Sequence, residues 1–210
     1  MPERQPGSAD KVVDPSGEPQ VVTAPVAARP AGVARSLRQR WPTLLGLAFT
    51  VVIALRLGDG VDLAPVVAVS ALIYLGASAL RNRSSVWALF AVGILVVVAT
   101  EALLGDGVGV WVLIGLAVPV FAYGLVNGAT QEHDGFTHQT IAMVGFGAVS
   151  ALALAVGPTA GAYLVAAGLL GHAAWDVYHY RVNRVVVRSL AQFCVVLDTL
   201  VALVIVIATV

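Results

Sequence analysis

The chain has 210 residues, 59% of them hydrophobic and 11% charged, with a mean hydropathy of +0.88. Soluble domains carry about 45–50% apolar and about 25% charged residues, so this composition excludes a water-soluble globular protein. Twelve basic and twelve acidic residues cancel, which excludes recruitment of nucleic acid by net charge, and the single cysteine, Cys194, excludes an intrachain disulfide framework. The sole lysine, Lys11, precedes every apolar run, so no span can carry a retinal Schiff base.

Residues 1–40 hold Pro2, Pro6, Pro15, Pro19, Pro25 and Pro30 among Gly, Ser, Asp, Glu and Arg, without apolar periodicity. They read as a disordered cytoplasmic tail. No apolar core of signal-peptide type occurs before Trp41, so the first span is expected to be a retained anchor.

Residues 41–210 form the transmembrane domain. Seven apolar runs follow, at 42–57, 63–80, 86–104, 109–128, 139–156, 159–179 and 189–210. Each is near the ~20 residues that cross ~30 Å of hydrocarbon, where only a helix satisfies its own backbone. The expected fold is an all-α polytopic transmembrane bundle of about seven spans, multi-pass in the cell membrane. Arg29, Arg35, Arg38 and Arg40 precede the first run, Arg81 and Arg83 lie in the second connection, and Arg181, Arg184 and Arg188 in the sixth. The first, third and fifth connections hold no basic residue, and this alternation predicts a cytoplasmic N-terminus.

Leu57-Gly58-Asp59-Gly60-Val61 recurs as Leu104-Gly105-Asp106-Gly107-Val108, either as a trace of related hairpins or as a turn used twice. Gly124 with Gly128, Gly145 with Gly147, and Gly161, Gly168 and Gly171 allow close helix approach, within one chain or in a homo-oligomer. Pro65 and Pro119 are expected to free carbonyls inside spans. Arg56 and Glu101 share the outer end with Asp59, Asp62 and Asp106, which predicts an arginine–carboxylate contact there.

The candidate functional residues are ionisable groups inside or beside the spans, each costing about 2.5–3.5 kcal/mol on insertion scales. His172, Asp176 and His179 share one helical face at spacings of four and three, and His133 and His138 flank the fourth connection at the same membrane face. His172, His179, His133 and His138 are candidate metal ligands, with zinc or iron as the metal. Trp175, Tyr178, His179 and Tyr180 before Arg181 also read as an aromatic interface belt. Asp198 lies about 14 Å into the last span, at the depth of His172, so Asp198 and Asp176 are the candidate catalytic groups, with Cys194 one turn away.

The run Gly171-His172-Ala173-Ala174-Trp175-Asp176-Val177-Tyr178-His179-Tyr180-Arg181, then Arg188-Ser189 and Phe193-Cys194-Val195-Val196-Leu197-Asp198, resembles the end of small uncharacterised polytopic membrane proteins of high-GC actinobacteria. The resemblance implies that His172, Trp175, Asp176, His179, Cys194 and Asp198 act together. Seven spans with histidine and aspartate also resemble membrane metal hydrolases of the alkaline ceramidase type and iron-dependent carotene-cleaving oxygenases, but the ordered His-x-x-x-His motif of those families is missing. Three functions remain: an accessory membrane component, alone or within a larger complex; a metal-dependent membrane enzyme acting on a lipid or apolar substrate at the cytoplasmic leaflet; and a small proton-coupled transporter. The partners expected are the lipid bilayer and a homo-oligomer or membrane complex.

Overall fold

The computed structural model describes residues 32–131 and 135–210, with side chains for residues 40–130 and 135–210. The predicted tail lies largely outside the described residues. Chain contacts divide the protein into two units, Met1–Arg38 and Gln39–Val210, and the helical bundle belongs to the second.

Seven α-helices make up the described structure: α1 (Gly32–Arg56), α2 (Ala64–Ala79), α3 (Val86–Leu104), α4 (Val108–Val126), α5 (Phe136–Ala155), α6 (Pro158–Val182) and α7 (Arg188–Thr209). No strand occurs among the described residues, so the fold is an all-α bundle whose helices match the seven apolar runs. Five of them, counting the short 3-10 turns that lead into α2 and α3, are long and apolar enough to cross a membrane. The other two are α1 and α6. Helix α6 spans 25 residues, and its polar side chains His172, Asp176 and His179 are turned into the bundle. Outward, Val92, Leu95 and Val98 of α3, Val118 of α4 and Ile141 and Val144 of α5 are exposed, an apolar surface suited to a hydrocarbon surround.

Helix α2 is the hub. It carries no charge, nearly all of its residues are buried, and it packs on α3, α4, α5 and α6. A helix apolar on every side has no water-facing stripe and belongs in the middle of a bundle. Helices α6 and α7 form the most extensive pair, while α1 lies against α3 and α7 through Trp41 on Trp87 and Phe49 on Phe90 and Phe193. Pro65 falls in the first turn of α2, where no intrahelical N–H is needed; only Pro42 and Pro119 interrupt described helices from within.

The two Gly-Asp-Gly copies differ in backbone. Gly105 and Gly107 take φ of 92° and 77°, whereas Gly58 and Gly60 stay outside the left-handed region and the first copy opens a 3-10 turn, Gly60–Leu63. The repeat is therefore a shared turn composition rather than a shared hairpin. Arg83 donates to the carbonyl and side-chain oxygens of Asn183 at 3.1 and 2.5 Å, and Arg81 donates to the Asn127 carbonyl at 3.4 Å. These contacts gather the second, fourth and sixth connections at one end. Asp62, Glu101 and Asp106 lie near one another at the other end, and no ion pair joins them to Arg56 among the described residues. The predicted arginine–carboxylate contact does not form.

Close packing at α6 gives a direct test. A Cβ on Gly161 would strike the Ala153 carbonyl oxygen and lie 2.8 Å from Val61, whereas one on Gly115 meets nothing within 4 Å. In thermal unfolding in detergent, Gly161→Ala is expected to lose about 1–3 kcal/mol. Gly115→Ala is expected to be neutral or to gain up to about 1 kcal/mol. Equal behaviour of the two variants contradicts this packing.

Candidate functional site

Helix α6 sets His172 and Asp176 one turn apart on the face that meets α7, and α7 brings Asp198 to the same depth. All three are buried, with 0, 0 and 1% exposure. His172 Nδ1 is 2.9 Å from Asp176 Oδ2 and 2.9 Å from Asp198 Oδ2. Tyr74 of α2 donates its hydroxyl hydrogen to Asp176 Oδ1, so three helices contribute to one polar cluster. His172 Nε2, Asp176 Oδ2 and Asp198 Oδ1 are buried without a hydrogen-bond partner.

The central difficulty of this cluster is a count of hydrogens. An imidazole Nδ1 bears one hydrogen at most, so it can donate to one carboxylate and leaves the second facing it with nothing between. Each unmatched buried polar atom costs about 1–3 kcal/mol, more for a charged one. A cation held by Nδ1 and both Oδ2 atoms removes the conflict. One ligand atom from each residue lies within 4.8 Å of the others, and no other such group of three occurs among the described residues. Metal–ligand bonds of 2.0–2.1 Å in a tetrahedral arrangement place donor atoms about 3.3 Å apart, close to the spacing found here. One imidazole with two carboxylates suits zinc, iron or manganese rather than a soft metal.

The remaining predicted ligands sit elsewhere. His179 is buried, but its Nδ1 is 2.9 Å from the Trp175 carbonyl, which can only accept. Nδ1 therefore carries the hydrogen, and Nε2 accepts from the Gln139 amide at 3.2 Å. Trp175 Nε1 donates to Gln139 Oε1 at 3.2 Å, closing a buried clamp between α5 and α6. The Tyr74 ring stands edge-on to both His172 and His179, with centroids 5.4 and 4.9 Å away, and so sits against both imidazoles. His138 is exposed at the start of α5. His133 lies outside the described residues. Cys194, buried one turn before Asp198, is not part of the three-residue group.

The geometry thus joins His172 to Asp176 and Asp198, the two candidate catalytic aspartates, and adds two residues that the sequence does not single out. Tyr74 has only Ser70 and Ser78 as polar companions in α2, with no acid, base or imidazole at helical spacing to mark it. Gln139 opens a predicted run as an apparent boundary residue.

An open cleft of about 430 Å³ lies at the arginine-rich end, lined by His138, Gln139, Trp175, Tyr178, His179 and Arg184 among others. On the opposite side of the cluster, Val67, Ala162, Val165, Ala166, Val201 and Ile205 are all buried, and the buried polar side chains of the outer half are the hydroxyls of Thr50, Ser70, Thr100 and Ser150.

Tyr74→Phe leaves Asp176 Oδ1 without its donor, and a loss of about 1–3 kcal/mol in unfolding free energy is expected. In a double-mutant cycle with Asp176→Ala the two losses should fall short of additivity by more than ~0.5 kcal/mol. Additive losses would show that the phenol and the carboxylate act separately. Compared with known proteins, the chain matches no family model, no curated protein and no solved structure.

Proposed function

We propose that the chain is an integral membrane protein that holds a divalent transition-metal ion between His172, Asp176 and Asp198, and works as a membrane-embedded metal-dependent enzyme. The observation that carries this is the single Nδ1 placed 2.9 Å from two buried carboxylates, with one oxygen of each left unpartnered. Two aspartates are uncommon in an apolar bundle unless a cation or a reaction requires them. Three protein donors leave a fourth position, the arrangement of catalytic rather than structural zinc sites. Asp176 and Asp198 are ligands in this reading, Tyr74 orients Asp176, and His179 stands between the centre and the cleft.

The arginine-rich end is taken as cytoplasmic by the retention of positive charge on that side. Trp41 on α1 stacks near Trp87, at the start of α3 and so at that end, which puts the N-terminal side of the bundle there too. The substrate then approaches from the inner leaflet. Proton-coupled transport is less well supported, because a carrier needs ionisable groups on both sides of its central acid and the buried polar side chains of the outer half are the hydroxyls of Thr50, Ser70, Thr100 and Ser150. A second reading, an accessory membrane component in which the centre ties α6 to α7, is favoured by the near-zero exposure of all three residues.

Elemental mass spectrometry on protein purified without chelators tests the proposal. About one zinc, iron or manganese per chain is expected, lost in His172→Ala and Asp198→Asn and kept in His179→Ala and His138→Ala. Adding that metal at ~100 times its Kd to stripped protein should stabilise the fold by about 2.7 kcal/mol. No metal in the parent and no stabilisation by zinc, iron or manganese overturns the reading. Loss of metal in His179→Ala and His138→Ala moves the site to the histidines at the cleft.

A further inference from the structure

The connection between α6 and α7 joins the two helices that carry His172, Asp176 and Asp198, and it runs from Asn183 to Val187. Asn183 closes α6 in the left-handed conformation, with φ 51° and ψ 45°, and its N–H donates to the His179 carbonyl at 2.8 Å. Asparagine takes that conformation readily; valine does not. Yet Val185 has φ 67°, and the Val186 N–H donates to the Arg184 carbonyl at 2.7 Å, so Val185 is the centre of a three-residue turn. A positive φ at that centre is the rare, strained form of the turn, and branching at Cβ adds to the strain. Among the described residues, the others besides glycine with positive φ are Arg81 and Asn183, neither of them branched at Cβ.

Strain of this kind persists only where the surroundings enforce it. Before the turn, Arg83 holds both the carbonyl and the side-chain oxygen of Asn183. After it, Val186 and Leu190 are fully buried in the core, and Arg188 at the start of α7 donates to the Tyr180 carbonyl of α6 at 3.2 Å. Deeper in the bundle the His172–Asp198 contact fixes α6 against α7. The connection is tied at both ends, and Val185 absorbs the misfit. The centre beneath it is shut too, since His172, Asp176 and Asp198 are all buried.

We propose that the α6–α7 connection is a strained hinge whose opening, as Val185 relaxes, parts the arginine-end turns of the two helices and gives access to the buried cluster. The proposal rests on the metal-centre reading only for what passes through the opening; as a motion it stands on the backbone alone. Strain raises the free energy of the closed state and so lowers the cost of local opening. The last turns of α6 carry His179, whose ring lies against Tyr74, and Tyr74 donates to Asp176, so a shift there reaches the cluster through two contacts.

Cys194, the single cysteine of the chain, is a built-in reporter, buried on α7 one turn from Asp198. Its rate of labelling by N-ethylmaleimide, in full-length protein in detergent, measures how often the two helices part. Val185→Gly is expected to slow labelling about tenfold, the equivalent of ~1.4 kcal/mol of strain removed. Val185→Asn, which accepts a positive φ without the added freedom of glycine, should act in the same direction. Arg83→Gln, which releases Asn183, should speed labelling about tenfold. Hydrogen exchange at Leu190 and Ala191, whose N–H groups donate to the Val187 carbonyl, should follow the labelling, with the amides of α4 unchanged. Labelling that is unchanged or faster in both Val185 variants overturns the hinge. So does slowed exchange at Leu190 and Ala191 with unchanged labelling, and so does a change shared equally by α4, which marks global unfolding. Neither readout needs an ion, so metal content of the same samples separates the two proposals. Slowed labelling in a protein without metal sinks the metal centre alone, and metal retained with unchanged labelling sinks the hinge alone.

Discussion

Two carboxylates and one imidazole meet in a space that water does not share, and the way α2, α6 and α7 come together follows from satisfying them. In an apolar bundle an unpaired carboxylate costs several kcal/mol, so each must find a donor or a cation on a neighbouring helix. His172 reaches across from α6 to Asp198 on α7, and Tyr74 reaches from α2 to Asp176 on α6. These contacts fix rotation and depth of all three helices, which apolar packing alone leaves loosely specified because one valine face resembles another. The close approach of α6 and α7 beyond the cluster is built from Ala162, Ala166, Val201, Ala202 and Ile205, small and branched side chains that fit only once the polar register is set.

Much of the fold was legible in the sequence because apolar runs separated by polar or glycine-rich connections mark helices in an apolar bundle, and all seven runs coincide with a helix, five of them long and apolar enough to cross a membrane. The site was legible in part. Four-residue spacing put His172 beside Asp176, and the rise per residue put Asp198 at the depth of His172; both relations are local arithmetic on a helix. His179 shows where such arithmetic fails. Seven residues beyond His172 it shares the face, yet lies about 10 Å further along the axis, several times the span of one metal's bonds. A common face is not a common site. Tyr74 and Gln139 escaped notice for a different reason, since their roles come from partners more than a hundred and about forty positions away, Asp176 and His179. No spacing rule reaches so far.

Charge is arranged along the bundle axis as well as within it. Arginines and asparagines knit the connections at one end, while Asp62, Glu101 and Asp106 sit together at the other without a basic partner among the described residues. Mutual repulsion of acids is tolerable where water can screen it and would be prohibitive in the interior, which accounts for their place at the end of the bundle. The arginine end lies opposite, and five of the helices are long and apolar enough to cross a membrane.

Ionisable and amide side chains inside the bundle are distributed unevenly between its two ends. From the central cluster towards the acids, the buried positions of α2, α6 and α7 are apolar or small apart from the Ser70 hydroxyl. Towards the arginine end the series Tyr74, His179, Gln139 and Trp175 continues to the cleft. A purely structural polar cross-link has no need of a direction, because its partners need only satisfy one another. Here the clamp of Gln139, Trp175 and His179 already satisfies itself, and so does not require the carboxylates below it. Two polar assemblies adjoin through one tyrosine on the side that opens to the cleft, which is the arrangement the proposed metal centre would need for access from that end.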